Sequence, residues 1–329
     1  MAHKIFIDGE AGTTGLQIRQ RLADRRDLEV VSIDPARRKD ADARAELLNS
    51  VDVAILCLPD EGAREAVAMI VNPDVRVIDP STAHRTSTGW AFGFPELNRD
   101  QRATIAASKR VTNPGCWSTG FIALVAPLVR AGLIPAEAAL STHGVSGYSG
   151  GGKGLIAEFE DAPAPSPSAD AFRPYGLTLA HKHLPEMVAY TGLTHPPIFS
   201  PAVGRYAQGM IVEVPVALWA LPGRPAVADL RAALSETYAG EAFVQVATDL
   251  ETSQLSQARA GAGGYVAALD PEALNGTNGL RLYVFGDEAK GQARLLAVLD
   301  NLGKGASGAA VQNLNLMLGL DEGEGLSRP

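Results

Sequence analysis

The sequence is poor in cysteine, since its 329 residues include only Cys57 and Cys116. Cys57 lies in an apolar run that is typical of a buried strand, so we expect no structural disulfide. No apolar run approaches the roughly 20 residues that a membrane-spanning helix needs. The first residues enter a strand pattern directly, without the layout of a secretory signal peptide. We therefore expect a soluble, cytoplasmic protein.

An excess of positive charge is also lacking. The chain has 29 Lys and Arg residues against 37 Asp and Glu residues, a formal net charge of -8. Proteins that coat nucleic acid or an anionic membrane carry the opposite balance. We expect neither partner, although a local basic pocket for a small anion is compatible with this charge. The length is sufficient for about two domains with well-formed cores.

A short apolar strand at residues 4–8 is followed by a glycine-rich turn and by a helical pattern at residues 16–22. This order is that of a dinucleotide-binding βαβ unit, in which glycines let the backbone approach a pyrophosphate at the helix N-terminus. The spacing is G-x-x-G-x-x-G, a variant of the usual motif. The expected cofactor-binding residues of this turn are Gly9, Gly12, Thr13, Thr14 and Gly15.

The second predicted strand, residues 28–34, ends on Asp34, where an acidic residue would bind a ribose 2′-hydroxyl and favour NAD. Directly after it come Arg37, Arg38 and Lys39, which could instead bind the 2′-phosphate of NADP. A solvated basic loop is the other interpretation of these three residues. From these residues alone, NAD and NADP both stay open.

Strands and helices continue to alternate up to about Asn113, with strands predicted at residues 51–58 and 75–79 and a helix at 61–71. Such alternation predicts an α/β domain with a parallel sheet covered by helices. Beyond it, long strand-like runs with fewer helices predict an α+β domain with a mixed, largely antiparallel sheet. These runs are residues 139–145, 198–203, 209–218 and 280–285. The proline-rich residues 162–170 predict an exposed excursion.

Cys116 follows the turn Asn113-Pro114-Gly115 and opens a long apolar run with helical spacing. At a helix N-terminus, the peptide dipoles and unpaired N–H groups favour a thiolate and could hold an oxyanion. Cys116 is therefore a candidate nucleophile. The alternative interpretation is a small residue packed in a tight turn.

A cysteine nucleophile needs a proton donor and acceptor, and His is suited to this near neutral pH. His181 and His183 stand beside Glu186, and Pro185 predicts a helix that starts at about Leu184. A metal site made of Cys116 and the two histidines is an alternative, as is a pair of histidines with local hydrogen bonds only. We expect no metal, because the spacing of strong zinc motifs is lacking.

A glycine-rich segment at residues 147–153 matches part of a phosphate-binding P-loop, G-x-x-x-x-G-K. Gly154 stands where that motif requires Ser or Thr, and the segment lies far from the first βα unit. We interpret it as a flexible glycine loop over an active site.

Taken together, these motifs resemble the short variant of the N-acetyl-gamma-glutamyl-phosphate reductase family of arginine biosynthesis. The resemblance covers nearly the whole chain. It rests on residues 9–15, 79–85, 94–98, 113–116, 144–147, 181–186 and 304–313. The P-G-C turn followed by H-x-H-x-P-E is its specific part.

The resemblance implies a Rossmann domain at residues 1–113 that is completed by a C-terminal helix within 305–329. It implies a catalytic and dimerisation domain at residues 114–304, of the aspartate-semialdehyde dehydrogenase type. It further implies NADPH as the cofactor, a small acyl phosphate as the substrate, and a homodimer or homotetramer. We expect the polar tail beyond Asp321 to be frayed.

The resemblance also implies a reaction, in which a cysteine attacks N-acetylglutamyl 5-phosphate, forms a thioester and accepts hydride to give the semialdehyde. The implied catalytic residues are Cys116, His181 and His183, and we favour His181 as the proton donor. The implied cofactor contacts beyond the glycine turn are Arg37, Arg38, Ser81 and Asn313. The implied substrate contacts are Arg85, Ser146, Lys153 and Glu186.

One departure from the family pattern lies after the fourth strand, where the usual acidic-Phe-Arg triplet is Ala83-His84-Arg85. Only Arg85 carries over from that triplet. Two alternatives to the implied reaction stay open. The substrate could be a neighbouring acyl phosphate, such as aspartyl phosphate or a carrier-linked aminoadipyl phosphate, and the chain could be a nucleotide-sensing regulator without catalysis.

Overall fold

A computed structural model describes residues 2–160, 167–257 and 268–329 of the chain. Most of the predicted proline-rich excursion, residues 162–166, lies outside this described part. The chain divides into two compact units. The first is Met1–Gly115 with Gly305–Ser327, and the second is Cys116–Lys304 with Arg328–Pro329.

The first unit is a parallel sheet with helices between its strands. Its elements are β1 (His3–Asp8), α1 (Thr13–Leu22), β2 (Leu28–Val31), α2 (Ala41–Ser50), β3 (Val53–Leu56), α3 (Asp60–Met69), β4 (Arg76–Asp79), β5 (Ala91–Phe92), α4 (Gln101–Ala107), β6 (Arg110–Thr112) and α10 (Gly308–Leu318). The strand order is β2-β1-β3-β4-β6-β5, with parallel pairing throughout. The predicted Rossmann-type architecture is confirmed.

Alternate residues of β1 serve the two faces of this sheet. Ile5 and Ile7 pack in one apolar cluster together with Ile18 and Leu314, whereas Phe6 packs in a second cluster. This division follows from the two-residue period of a strand. Because helices cover both faces, the strands are apolar on both sides, as parallel sheets require.

The C-terminal segment returns to the first unit, and its helix lies within the assigned range of residues 305–329. Helix α10 ends at Leu318, and the left-handed Gly319 closes it. The predicted frayed tail is wrong. Leu320 and Leu326 pack against the core of this unit, and the Arg25 guanidinium donates to the Glu324 carbonyl oxygen at 3.0 Å.

The second unit contains a mixed sheet. Its elements are α5 (Cys116–Arg130), β7 (Ser141–Gly147), α6 (Gly152–Glu160), β8 (Phe172–Pro174), α7 (Leu184–Thr191), β9 (Ile198–Gly204), β10 (Met210–Ala217), α8 (Val227–Thr237), β11 (Val244–Val246), α9 (Asp249–Gln257), β12 (Leu280–Asp287) and β13 (Gln292–Leu299). The strand order is β11-β12-β13-β10-β7-β9-β8. Four of its six pairings are antiparallel and two are parallel, which confirms the predicted fold class.

Helix α5 packs closely on this sheet because Gly120 faces it. A Cβ at Gly120 would lie 2.7 Å from a methyl group of Val212 and 3.3 Å from Cβ of Ala297. These approaches leave no room for a side chain, so the glycine sets the distance between helix and sheet. None of the helices in the described ranges is long and apolar enough to span a membrane.

In the second unit, one sequence-based prediction is wrong and one strand was missed. The glycine-rich segment is not an open loop, since residues 148–151 form a 3₁₀ turn and helix α6 begins at Gly152. The eight-residue strand β13 was not predicted. It pairs with both β10 and β12 and so lies inside the sheet.

Candidate active site

Cys116 is the first residue of α5, as predicted, and it is half-buried. The following residue, Trp117, holds this end of the helix in place. Its indole Nε1 donates to the Tyr175 hydroxyl oxygen at 2.9 Å, and its ring meets Phe199 edge-on at 5.4 Å. A Cβ at Gly144 would lie 2.4 Å from the Trp117 ring, so the indole occupies space that only a glycine leaves open.

Tyr175 is a site residue that the sequence analysis missed. Burial raises the pKa of its phenol, and the negative charge of the Cys116 thiolate raises that pKa further. Because its hydroxyl also accepts from the indole of Trp117, the residue that follows Cys116, Tyr175 lies near the start of α5. No local motif surrounds Tyr175, and its position follows from tertiary packing alone.

The two predicted histidines lie together in the same unit. Their rings meet edge-on with centroids 4.7 Å apart, and the His183 backbone N–H donates to His181 Nδ1 at 3.2 Å. The His181 ring also lies 5.8 Å from the Tyr175 ring and 4.9 Å from the Phe199 ring. The start of α5 at Cys116 is thus joined through Trp117 and Tyr175 to the histidine pair, and these residues form one cluster.

The helix after the histidines begins at Leu184, as predicted. The Leu184 N–H donates to the His181 carbonyl oxygen at 3.1 Å, and the Met187 N–H donates to that of His183 at 3.1 Å. Glu186, in the first turn, is buried. Burial and this carboxylate together raise the pKa of Tyr190 to about 12.

Two of the predicted substrate contacts lie elsewhere in the second unit. Ser146, on β7, is buried, and its hydroxyl donates to the Gly147 carbonyl oxygen at 3.2 Å. Lys153 lies exposed on the first turn of α6. Within the described residues it makes no hydrogen bond or ion pair, and its role stays a prediction.

The glycine turn of the first unit has the geometry of a phosphate cradle. Gly9 has φ of +87°, and a Cβ there would lie 2.2 Å from the Cys57 carbonyl oxygen. A Cβ at Gly15 would lie 2.6 Å from the Gly9 carbonyl oxygen. Helix α1 starts at Thr13, beside Thr14, with Gly12 as its N-cap. Because these glycines carry no side chains, the backbone N–H groups of the turn stay accessible where a ligand would approach.

The basic residues after β2 differ in their contacts. Arg37 is paired with Asp40 at 3.0 Å, and Asp40 caps α2 by accepting from the Ala43 N–H. Arg38 is exposed. Asp34, also exposed, accepts from the Ala36 N–H at 2.9 Å. This loop carries accessible charge of both signs, so it does not by itself distinguish the two dinucleotides.

Asn313, on α10, organises the end of the first unit's sheet. Its Nδ2 donates to the Gly93 carbonyl oxygen and to Asn113 Oδ1, both at 3.0 Å. The Asn113 Nδ2 in turn donates to the Ala306 carbonyl oxygen at 2.6 Å. The Asn313 Oδ1 is buried and has no hydrogen-bond partner among the described residues. Gly93 was not predicted as a site residue, yet a Cβ there would lie 2.2 Å from Asn313 Nδ2.

Arg85 and Ser81 lie in the loop that follows β4. Arg85 is buried, and its guanidinium donates to the carbonyl oxygens of Asn113 and Pro80, both at 3.0 Å. Ser81 is also buried and donates to Asp79 at 2.9 Å. Arg85 thus braces the turn before Cys116 from within the first unit.

The second cysteine differs from the first in its chemistry. Burial raises the pKa of the Cys57 thiol to about 12, and the carboxylates of Asp79 and Asp8 add to this rise. Such a thiol is inert near neutral pH. Among the described residues, no group of three or more His, Cys, Asp and Glu side chains could hold a metal ion.

The sheet of the second unit carries a large groove on one of its faces. The groove has a volume of about 1000 Å³ and is lined in part by Phe172, Leu177 and Leu296. Phe172 is 59% exposed and Leu177 is 83% exposed. Glu213 and Arg294, which also line the groove, form an ion pair at 2.6 Å.

Comparison with known proteins agrees with this architecture. Residues 116–301 match the dimerisation domain of semialdehyde dehydrogenases, and residues 30–105 match the NAD-binding domain of the same enzymes. Aspartate semialdehyde dehydrogenase from Francisella tularensis shares the fold, with a TM-score of 0.70 at 15% identity over 97% of this chain and 100% of that chain. The protein is thus an oxidoreductase of the semialdehyde dehydrogenase class.

The sequence relatives are more specific. The N-acetyl-gamma-glutamyl-phosphate reductase of Chelativorans sp. is 54% identical over 97% of this chain and 99% of its own length. N-acetyl-gamma-glutamyl-phosphate reductase 2 of Nostoc sp. is 52% identical over 98% of this chain and 99% of its own. The chain belongs to the N-acetyl-gamma-glutamyl-phosphate reductase family, which confirms the predicted resemblance.

Proposed function

We propose that this protein reduces N-acetyl-L-glutamyl 5-phosphate to N-acetyl-L-glutamate 5-semialdehyde and phosphate, with NADPH, as a cytoplasmic step of arginine biosynthesis. The observation that carries the proposal is the cluster of Cys116, Tyr175 and the pair His181 and His183 in a chain of this family. The cluster combines a nucleophile at a helix start with two imidazoles that can donate and accept protons.

In the first half of the reaction, the Cys116 sulfur attacks the acyl carbon of the substrate. The bond from that carbon to the phosphate oxygen breaks, and phosphate leaves with the bonding electrons. A thioester remains on Cys116. The N–H groups at the start of α5 are suited to hold the oxyanion that forms during the attack.

In the second half, a dinucleotide held at the glycine turn of the first unit would supply the hydride that reduces the thioester carbon. His181 protonates the oxygen of the resulting thiohemiacetal and then takes this proton back. The carbon–sulfur bond breaks, the aldehyde leaves and the Cys116 thiolate is restored. His183 lies close enough to exchange this role, and His181 is favoured because it also lies next to Tyr175.

The residues of the first unit fit a dinucleotide. Gly9 and Gly15 leave the backbone of the glycine turn open to a pyrophosphate at the start of α1. The buried Asn313 Oδ1 is an acceptor suited to the amide N–H of a nicotinamide. We assign the 2′-phosphate to Arg38, with Arg37 beside it, and NADP as the cofactor. Aspartate semialdehyde dehydrogenase of Candida albicans, which shares the fold with a TM-score of 0.65, has been crystallised with NADP.

The anionic groups of the substrate need cationic partners. We propose Arg85 for the phosphate, because its guanidinium lies against the turn that leads to Cys116. Lys153, Ser146 and Glu186 remain the proposed substrate contacts of the second unit. We further propose a homodimer or homotetramer in which a second copy of the chain covers the groove of the second unit, since this unit matches a dimerisation domain.

A substrate assay with matched variants tests the function. Phosphate-dependent reduction of NADP⁺ should occur with N-acetylglutamate semialdehyde and be much slower with aspartate semialdehyde or with NAD⁺. Cys116→Ser should abolish turnover and leave NADPH binding nearly unchanged, whereas Cys57→Ser should keep activity. Activity with aspartate semialdehyde alone would overturn the substrate assignment, and inactivity with every acyl substrate would favour a nucleotide-sensing regulator.

A further inference from the structure

The loop after β4 is built around one buried carboxylate. Asp79 is fully buried at the end of the strand. Its Oδ1 accepts from the Ser81 N–H at 2.8 Å, and its Oδ2 accepts from the Ser81 hydroxyl at 2.9 Å. His84 Nδ1 lies 2.6 Å from the same Oδ2 and donates to it, because a carboxylate can only accept. A carboxylate without water is stable only when donors of this kind surround it.

The His84 ring is also held from a second side. It stacks on the Trp90 indole with centroids 4.3 Å apart and planes 12° from parallel. Trp90 in turn packs against the apolar cluster that contains Phe6. The ring therefore has a fixed position and a fixed orientation, with 13% of its side chain exposed.

This loop carries two of the residues proposed to bind ligands. Ser81, proposed for the cofactor, is tied to Asp79 by two hydrogen bonds. Arg85, proposed for the substrate phosphate, directly follows His84 in the chain. A shift of His84 would therefore move Arg85 and release part of the shell around Asp79.

We infer that His84 is a positioning residue for the reaction, which holds Ser81 and Arg85 in place through its hydrogen bond to Asp79 and its stacking on Trp90. This inference rests on the proposed function. A phenyl ring at this position could stack on Trp90 but could not donate to Asp79, so a substitution can separate the hydrogen bond from the stacking.

Two substitutions separate the hydrogen bond from the stacking. His84→Phe keeps an aromatic ring against Trp90 and removes the donor. His84→Asn loses the ring but places an amide N–H at the position of Nδ1. We expect His84→Phe to raise the KM for phosphate and the Kd for NADPH by about 10-fold or more, with a smaller change in kcat. His84→Asn should restore most of both constants.

The readouts are steady-state kinetics in the oxidative direction, fluorescence titration of NADPH and thermal unfolding. His195→Phe is the matched control, since this histidine is exposed in a loop of the other unit. Unchanged KM and Kd in His84→Phe would overturn the inference. The inference would also be overturned if His84→Asn did not restore the KM for phosphate and the Kd for NADPH. The same holds if His84→Phe lowered only the thermal stability and kcat.

If His84→Phe does not fold, Asp79→Asn in the His84→Asn background provides the same test. A neutral acceptor there should again raise the KM and Kd, and unchanged constants would overturn the inference. An inactive wild-type protein would refute the proposed function instead. The NADPH titration would still decide the role of His84.

Discussion

The two cysteines should differ sharply in their reaction with an alkylating reagent. Cys116 stands at the start of α5, where peptide dipoles favour a thiolate. Cys57 follows β3, and burial together with the carboxylates of Asp79 and Asp8 raises the pKa of its thiol. Only the thiolate is alkylated at a useful rate, so we expect one modified cysteine per chain.

The size of the difference follows from the pKa. The pKa of Cys57 rises from 9.0 to about 12. At about pH 8, a thiol with the ordinary value is roughly one-tenth thiolate, whereas Cys57 is thiolate in about one molecule in 10⁴. Alkylation of Cys57 should therefore be about 10³-fold slower than that of an ordinary exposed cysteine.

The assay is a time course with iodoacetamide at about pH 8, followed by peptide mass spectrometry and residual activity. Activity should be lost in step with modification of Cys116, and bound substrate should protect against both. Cys57→Ser should lose activity at the same rate as the wild-type protein, whereas Cys116→Ser should take up almost no label. Fast labelling of Cys57 in the folded protein, or full activity after Cys116 is modified, would refute this reasoning.

Three further perturbations test single contacts. Gly9→Ala places a Cβ 2.2 Å from a backbone carbonyl oxygen at φ of +87° and should lower the unfolding free energy by about 2–4 kcal/mol. Gly62→Ala is the control, because a Cβ there would lie 3.4 Å from its nearest neighbour, an ordinary contact distance. This variant should not lose stability, so equal urea midpoints for Gly9→Ala and Gly62→Ala would contradict the argument. Tyr175→Phe removes the acceptor of the Trp117 indole and should lower stability by about 1–3 kcal/mol and reduce kcat. An unchanged urea midpoint together with an unchanged kcat would contradict this expectation. Burial and a neighbouring carboxylate raise the pKa of Tyr190 to about 12, so the unfolded chain loses this proton first and stability should fall from about pH 10 to pH 12. Denaturation across this range should show a smaller fall in Tyr190→Phe, and an identical fall would exclude this origin.

Local sequence signals predicted the elements that carry the candidate site residues. The glycine turn before α1 was predicted from its glycines and from its position between an apolar strand and a helical pattern, because tight turns and close backbone approaches require glycine. The start of α5 at Cys116 and the start of α7 at Leu184 were also predicted. Proline or glycine stands next to each of these helix starts. Because such residues set the local backbone conformation, a helix start can be predicted from the adjacent sequence.

Elements without such signals were missed or misread. Strand β13 follows β12 after a short connection, and its polar start at Gln292 and Arg294 hid its interior position. The tail after Gly319 looked polar, yet Leu320 and Leu326 find apolar partners in the first unit. The position of β13 and the packing of the tail both depend on residues that are distant in the sequence, so the sequence of the segment alone does not specify them.

The sequence by itself determined the class of fold, the candidate nucleophile and its histidine partners, because each depends on a short pattern of residues. Tertiary structure alone decided that Tyr175 meets Trp117, the neighbour of Cys116, and that His84 closes the shell around the Asp79 carboxylate. It also decided that the Cys57 thiol stays protonated. These properties arise from burial and from contacts between side chains whose approach only the folded chain defines, so a local pattern cannot contain them.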